Sequence, residues 1–213
     1  ILTGEFMLVD DSITGVILAG GKSRRFGENK ALSLFNGERL IERLLRSVRQ
    51  VTTKLLIVTN SPEEYEFLNI PMVGDLIVGA GSLGGIFTGI KSMTTSSGIF
   101  IACDMPFIRP EFLRYIIEAA RGGPFDAVVP MSDHGFEPLC ALYTDACIEP
   151  IERRLAAGDL KIVRFYDEVR VRTIHARDTS QFVPEMLFNV NTRSDYEEAL
   201  RLIGPADGNE TSE

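Results

Sequence analysis

Four cations, Lys22, Arg24, Arg25 and Lys30, fall within nine residues of the glycine-bearing segment Leu18 to Lys30 (LAGGKSRRFGENK), against one acid, Glu28. Arginine grips phosphate oxygens in a bidentate fork and lysine meets them as a point charge. Gly20, Gly21 and Gly27 let a ligand come close to the backbone and permit turns closed to other residues. The chain as a whole carries a formal net charge of −8, so this local reversal of sign points to a bound polyanion rather than a solvated basic turn. Gly21-Lys22-Ser23 looks like the end of a Walker A loop, but that motif needs glycine where Val16 stands, and the reading fails.

A metal ligand is the second requirement of phosphate chemistry. Asp104 follows the apolar run Gly98 to Cys103 (GIFIAC) and precedes Met105-Pro106, so its carboxylate should leave the carboxyl end of a strand beside the basic loop. One carboxylate there can hold magnesium while substrate phosphates and water complete the shell. Asp75, ahead of the glycine-rich Gly79 to Gly85, should approach the same edge, with the glycines forming a tight wall against a flat base or ribose. A rival reading takes Gly79-Ala80-Gly81-Ser82-Leu83-Gly84 as a G-x-G-x-x-G dinucleotide fingerprint after the run Leu76 to Val78, with Asp104 twenty residues beyond Gly84. It would make the protein a dehydrogenase that binds NAD there.

The elements that must position these residues follow from hydrophobic spacing. Ile13 to Leu18, Lys54 to Thr59, Gly98 to Cys103, Phe125 to Pro130 and Pro138 to Tyr143 read as strands. Leu40, Leu44, Leu45 and Val48 recur at helical spacing, Pro110 to Arg121 reads as a helix, and Ala146 to Ala157 and Thr192 to Ile203 as later ones. Ser61-Pro62-Glu63-Glu64 has the form of a capping box opening a short helix. Strands separated by helices predict a doubly wound, mostly parallel α/β sheet with helices on both faces. A glycine loop after the first strand then lies where such sheets bind ligands.

Composition narrows the setting. The chain has 213 residues, 45% hydrophobic and 24% charged, as in globular proteins. The acidic balance argues against binding nucleic acid or an anionic membrane surface, and no apolar run approaches the roughly 20 residues of a membrane span. Cys103, Cys140 and Cys147 form no CxxC and predict a reduced, cytoplasmic protein. His134 and His175 read as a loop and a late-strand residue. Ile1 to Phe6, ahead of Met7, read as a cloning remnant with no secretory features, residues 7–203 as one domain, and Gly204 to Glu213 as a flexible tail.

These motifs resemble a known family. LAGGKSRRFGENK matches the nucleotidyltransferase signature L-A-G-G-x-S-x-R-x-G-x-x-K, and ACDMPF, GAGSLGGIFTG and FNVNT are similar to the metal segment, base-side loop and late asparagine pair of molybdenum cofactor guanylyltransferases. The resemblance runs from about Ile13 to Leu200. It implies the nucleotide-diphospho-sugar transferase type of fold and transfer of GMP from GTP to the terminal phosphate of molybdopterin, with Mg2+ as cofactor. By motif position, Leu18, Ala19, Gly20 and Gly21 would bind GTP through the backbone and Lys30 through its phosphates. Arg24 and Arg25 would help Lys30 steady the pyrophosphate. Asp75 would lie at the nucleotide, and Gly81, Ser82 and Gly85 on the guanine side. Asp104 would hold metal and nucleotide, with Asn189 and Asn191 near metal and acceptor. Other cofactor-biosynthesis proteins or molybdoenzyme chaperones would be transient partners. Three positions depart from the pattern: Val58 where some members have asparagine, Ser82 where many have proline, and Glu137 where histidine is common. A cytidylyl- or sugar-1-phosphate nucleotidyltransferase would share the first loop, and a non-catalytic guanine-nucleotide module would keep Lys30 without needing Asp104.

Overall fold

The run Ile13–Leu18 forms β1, buried along its whole length. A computed structural model describes residues 9–20 and 29–203. The expected remnant over residues 1–6, the tail from Gly204, and Gly21, Lys22, Arg24, Arg25 and Gly27 of the basic loop lie outside the described residues. After β1 come a two-residue hairpin, β2 (Leu34–Phe35) and β3 (Glu38–Arg39), then α1 (Leu40–Val48), β4 (Leu55–Val58) and β5 (Met72–Val73). Next are α2 (Gly81–Ser92), β6 (Ser97–Ala102), α3 (Pro110–Arg121), β7 (Ala127–Ser132), β8 (Gly135–Phe136) and β9 (Cys140–Thr144). The chain continues through α4 (Ile148–Ala156), β10 (Val171–His175) and α5 (Arg193–Ile203). No helix among the described residues is long and apolar enough to cross a membrane.

The main sheet runs β10-β7-β9-β6-β1-β4-β5, with β8 hairpinned onto β7. β1 pairs in parallel with β4 and β6, and β7 with β10. β9 alone among these neighbours runs antiparallel, between β6 and β7. Its direction follows from the connection: no helix separates β7 from β9, so the chain turns straight back. The sheet is therefore mixed and mostly parallel, and the winding reverses at β1 and β6.

Period-two alternation sends neighbouring residues of each strand to opposite faces. Ile17, Ile57, Ile99 and Leu142 pack with α1 and α3, whereas Val16, Val58, Phe100 and Tyr143 pack with α2 and α4. Helix α2 lies close to the sheet because residue 89 is glycine; a Cβ there would sit 2.5 Å from Phe100 Cε1. α5 packs over the β2–β3 hairpin, Tyr196 meeting Phe35 edge-on at 4.5 Å between ring centroids.

The short helix expected after Ser61 forms as two 3-10 turns, Pro62–Glu64 and Glu66–Leu68. The capping box does not close: the Ser61 amide donates to Thr59 Oγ1 at 3.2 Å, and Glu64 is taken instead by the Asn29 amide group. Leu76 to Val78 is not a strand but an exposed bend, with Val78 88% exposed. The strand–turn–helix context that a dinucleotide fingerprint requires is absent there. Boundaries shift by a residue or two elsewhere; a 3-10 turn, Asp145–Cys147, precedes α4.

The edge strand β10 is clipped on by one carboxylate. Asp126 accepts from Arg170 Nε at 2.9 Å, Nη2 at 2.6 Å and the backbone amide at 2.9 Å. The Arg170 bonds hold the Asp126 carboxyl below its ordinary 3.8, against the opposing push of burial. A lowered native value stabilises the fold above the unfolded value, and that contribution is lost as pH falls through the native one. Asp126→Asn should therefore melt a few degrees lower at pH 7, with the gap closing below pH 3.8. Melts across a pH series measure it; a gap independent of pH would contradict the assignment.

Candidate active site

The carboxyl ends of β1 and β6 open onto the crevice where open α/β sheets bind ligands. Leu18 C=O accepts from Cys103 N–H at 3.2 Å, and Ala19 N–H donates to Val58 C=O at 2.9 Å. These two groups serve the sheet. At Gly20, which is exposed, a Cβ would meet nothing within 4 Å; packing among the described residues does not demand glycine there.

Lys30 begins a 3-10 turn, Lys30–Leu32, capped by Asn29, whose Oδ1 accepts from Ala31 N–H at 3.1 Å. Asn29 is in turn held by Glu64 and by the buried Tyr65, its amide donating to the Tyr65 hydroxyl at 2.8 Å. This clamp aims Lys30 across the crevice. Its Nζ lies 2.5 Å from Asp104 Oδ2 and 3.0 Å from Asn191 Oδ1. Both partners of the ion pair are largely enclosed, their side chains 18% and 13% exposed.

Asp104 is fixed from two sides. Its C=O accepts from Val190 N–H at 2.9 Å, which brings the segment Asn189 to Asn191 alongside. Arg43 and Ser47 of α1 bond the carbonyls of Pro106 and Ile108 just downstream, each at 2.9 Å. Asn189 donates to Leu187 C=O at 2.8 Å. The α5 cap completes the support: Asp195 Oδ2 accepts from Asn191 and Thr192 N–H at 2.8 Å each, and Thr192 Oγ1 accepts from Asp195 N–H at 3.1 Å. Burial by itself would raise the Asp195 carboxyl, but these bonds outweigh it and hold it low.

Asp104 Oδ1 is buried without a hydrogen-bond partner among the described residues. An orphaned carboxylate oxygen costs free energy unless something satisfies it, and beside a cation clamp it fits one protein ligand of a hard divalent ion. Cys103, next to it, is no nucleophile. Burial, with Asp104 as the next contributor, pushes its thiol up to about 12, so it stays protonated at neutral pH.

Asp75 reaches the same edge of the sheet through β5 and pairs with Asn60, not with Lys30. Asn60 Nδ2 donates to Asp75 Oδ2 at 2.8 Å, and Asp75 N–H donates to Asn60 Oδ1 at 2.9 Å. Val58 is buried at the end of β4, whereas Asn60 is exposed. Gly79 and Gly81 take positive φ, +83° and +59°, which turns the chain into α2 and leaves Ser82 exposed on its first turn. Gly85 backs onto Leu18, whose Cδ2 a Cβ would meet at 3.5 Å.

Comparison with known proteins gives this arrangement a family. Residues 15–172 match the MobA-like NTP transferase domain. The chain belongs to that family. The molybdenum cofactor guanylyltransferase of Desulfosudis oleivorans is 38% identical over 196 residues, 91% of this chain and 96% of that protein. The probable molybdenum cofactor guanylyltransferase of Pelotomaculum thermopropionicum is 38% identical over 188 residues, 87% and 91% of the two chains. The crystal structure of molybdopterin-guanine dinucleotide biosynthesis protein A from Archaeoglobus fulgidus superposes with a TM-score of 0.78 at 28% identity, covering 91% of this chain and all of that one. Against the MobA-like motifs, the structure brings Lys30 into direct contact with Asp104 and Asn191, and Asn189 precedes Val190, whose N–H meets Asp104 C=O. Leu18 ends β1 and Ala19 and Gly20 follow it, Asp75 follows β5, and Gly81, Ser82 and the buried Gly85 lie in the first turns of α2. Gly21, Arg24 and Arg25 lie outside the described residues. Sequence reasoning missed Asn29, Tyr65 and Asp195; only Asp195 had a local signal, the spacing Thr192-x-x-Asp195 of a capping box.

Proposed function

We infer that the protein transfers GMP from GTP to the terminal phosphate of molybdopterin, releasing pyrophosphate. The observation that carries this reading is the Lys30–Asp104–Asn191 cluster, with an unpartnered carboxylate oxygen, at the switch point of a MobA-like NTP transferase. The names of relatives similar over nearly the whole chain support guanylyl transfer and the molybdopterin acceptor. Residues 7–203 are the catalytic unit, in a cytoplasmic setting consistent with three free, buried cysteines.

No side-chain nucleophile is needed. A phosphate monoester has a second pKa near 6, so the acceptor is largely ionised at neutral pH and attacks the α-phosphate without a strong base. What the protein supplies is alignment of two polyanions and neutralisation of charge. Backbone groups at Ala19 and Gly20 approach the nucleotide, and a Cβ at Gly20 would meet nothing within 4 Å among the described residues. Lys30 moves its ammonium onto the phosphates and, with Arg24 and Arg25, steadies the departing pyrophosphate. Gly81, Ser82 and Gly85 form the guanine wall, whose first α2 turn offers free N–H groups. Asp104, with Asn189 and Asn191 alongside, would hold magnesium, which would offset triphosphate charge and polarise the α-phosphate.

Asn60 orients Asp75 at the nucleotide. Asn60→Ala removes two exposed hydrogen bonds worth about 1 kcal/mol together, so the KM for GTP should rise about five-fold with kcat nearly unchanged. Steady-state kinetics decide; an unaltered KM would separate Asp75 from nucleotide binding. The function itself is tested by melting the protein with GTP, CTP, ATP, UTP or NAD, with and without magnesium. A ligand at a hundred times its Kd adds about 2.7 kcal/mol, about 5–11 °C for a chain of this size. Magnesium-GTP should give that shift, followed by GMP transfer to molybdopterin; a shift with CTP or NAD instead overturns the guanylyl assignment.

A further inference from the structure

Lys30 does more than wait for phosphate. Its ammonium already lies 2.5 Å from Asp104 Oδ2, in a pair whose side chains are mostly out of water. A divalent ion arriving at Oδ1 would share one carboxylate with that ammonium, and two cations a few ångströms apart repel strongly where water is thin. Little nearby offsets them among the described residues. Among the described residues no three His, Cys, Asp or Glu side chains converge to hold a metal. Asp195, the other acid that acts on Lys30, has Oδ2 turned into the backbone N–H groups that open α5. Asp75 is engaged with Asn60.

A nucleoside triphosphate changes the charge count. It brings several negative charges, gives Lys30 a better partner than one carboxylate, and carries its own share of metal ligands. We propose that Lys30 is an electrostatic gate on Asp104: it denies the carboxylate to a free divalent cation, and metal enters only with a nucleoside triphosphate that draws the ammonium away. The proposal rests on Asp104 being the metal carboxylate of the guanylyl-transfer reading. Lys30 thereby serves as counter-ion in the free protein and phosphate ligand in the complex, and prevents an occupied metal site that would bind stray phosphates without substrate.

The test uses Mn2+ as probe and the full chain without nucleotide, counting free Mn2+ by electron paramagnetic resonance. Lys30→Met and Lys30→Gln should each bind Mn2+ at least about ten-fold more tightly than wild type. Lys30→Arg, which keeps the charge, should stay at the wild-type level, and adding Asp104→Asn to Lys30→Met should remove the gain. Equal Mn2+ binding by wild type and both neutral variants overturns the gate. So does tighter binding by Lys30→Arg as well, since charge would then not be the cause. A parallel melt separates this from failure of the underlying reading: stabilisation by GTP should respond to Mn2+ in wild type and not in Asp104→Asn. If Asp104→Asn keeps the full metal response, Asp104 is not the metal carboxylate, and the site assignment falls with the gate.

Discussion

Asp104→Ala should leave a folded protein that transfers GMP at least about a thousand-fold more slowly than wild type. The size follows from what one carboxylate anchors. A single preorganised group facing developing charge is worth about 10²–10³ in rate, and loss of a bound metal removes several kcal/mol of charge stabilisation besides. The first alone reaches about 4 kcal/mol at its upper end, or three decades, which sets the floor. The fold should survive because the backbone carbonyl that receives Val190 N–H is untouched. Of the two oxygens removed, Oδ1 had no partner among the described residues, and Lys30, which loses Oδ2, keeps Asn191 Oδ1 at 3.0 Å. Pyrophosphate release from GTP and molybdopterin measures the rate, and a melt within a few degrees of wild type establishes folding. Turnover near the wild-type rate would end the assignment of Asp104.

Gly89→Val should have the largest effect on stability among the changes considered. The position is mid-helix, where alanine would regain about 1 kcal/mol of helix propensity over glycine and mask part of any clash. Valine is therefore the cleaner probe. Its Cβ would start 2.5 Å from Phe100 Cε1 and 2.9 Å from Val16 Cγ1, and neither side chain has any exposed surface to retreat into. Overpacking of this kind costs about 1–3 kcal/mol; at the upper end, melting should fall by about 6–12 °C. Because α2 begins at Gly81, proposed for the guanine wall, a helix pushed off the sheet should also raise the KM for GTP. An unchanged melting temperature would mean that α2 can slide along the sheet without loss.

How much of this was readable in advance depended on whether the signal was local. β1 matched its expected bounds because Ile13–Leu18 is β-branched, fully buried and bounded by turn residues. α1 and α3 matched because their apolar residues keep helical spacing. The two-residue strands β2, β3, β5 and β8 have no periodicity to read. The capping box at Ser61 was misleading because a partner remote in sequence, Asn29, claims Glu64. Asp104 was legible as an acid ending an apolar strand. The clamp of Asn29 on Tyr65 was not, since no spacing links residues 36 apart.

Lys30 and Asn191, which touch in the crevice, are separated by 161 positions along the chain. A ribosome making this protein therefore lays down the glycine-basic segment early and must finish nearly all the rest before the partner of Lys30 exists. The half-made chain carries those glycines and cations, but not the asparagine segment that meets Lys30. Competence for transfer thus arrives late in synthesis, when the stretch around Val190 settles against Asp104.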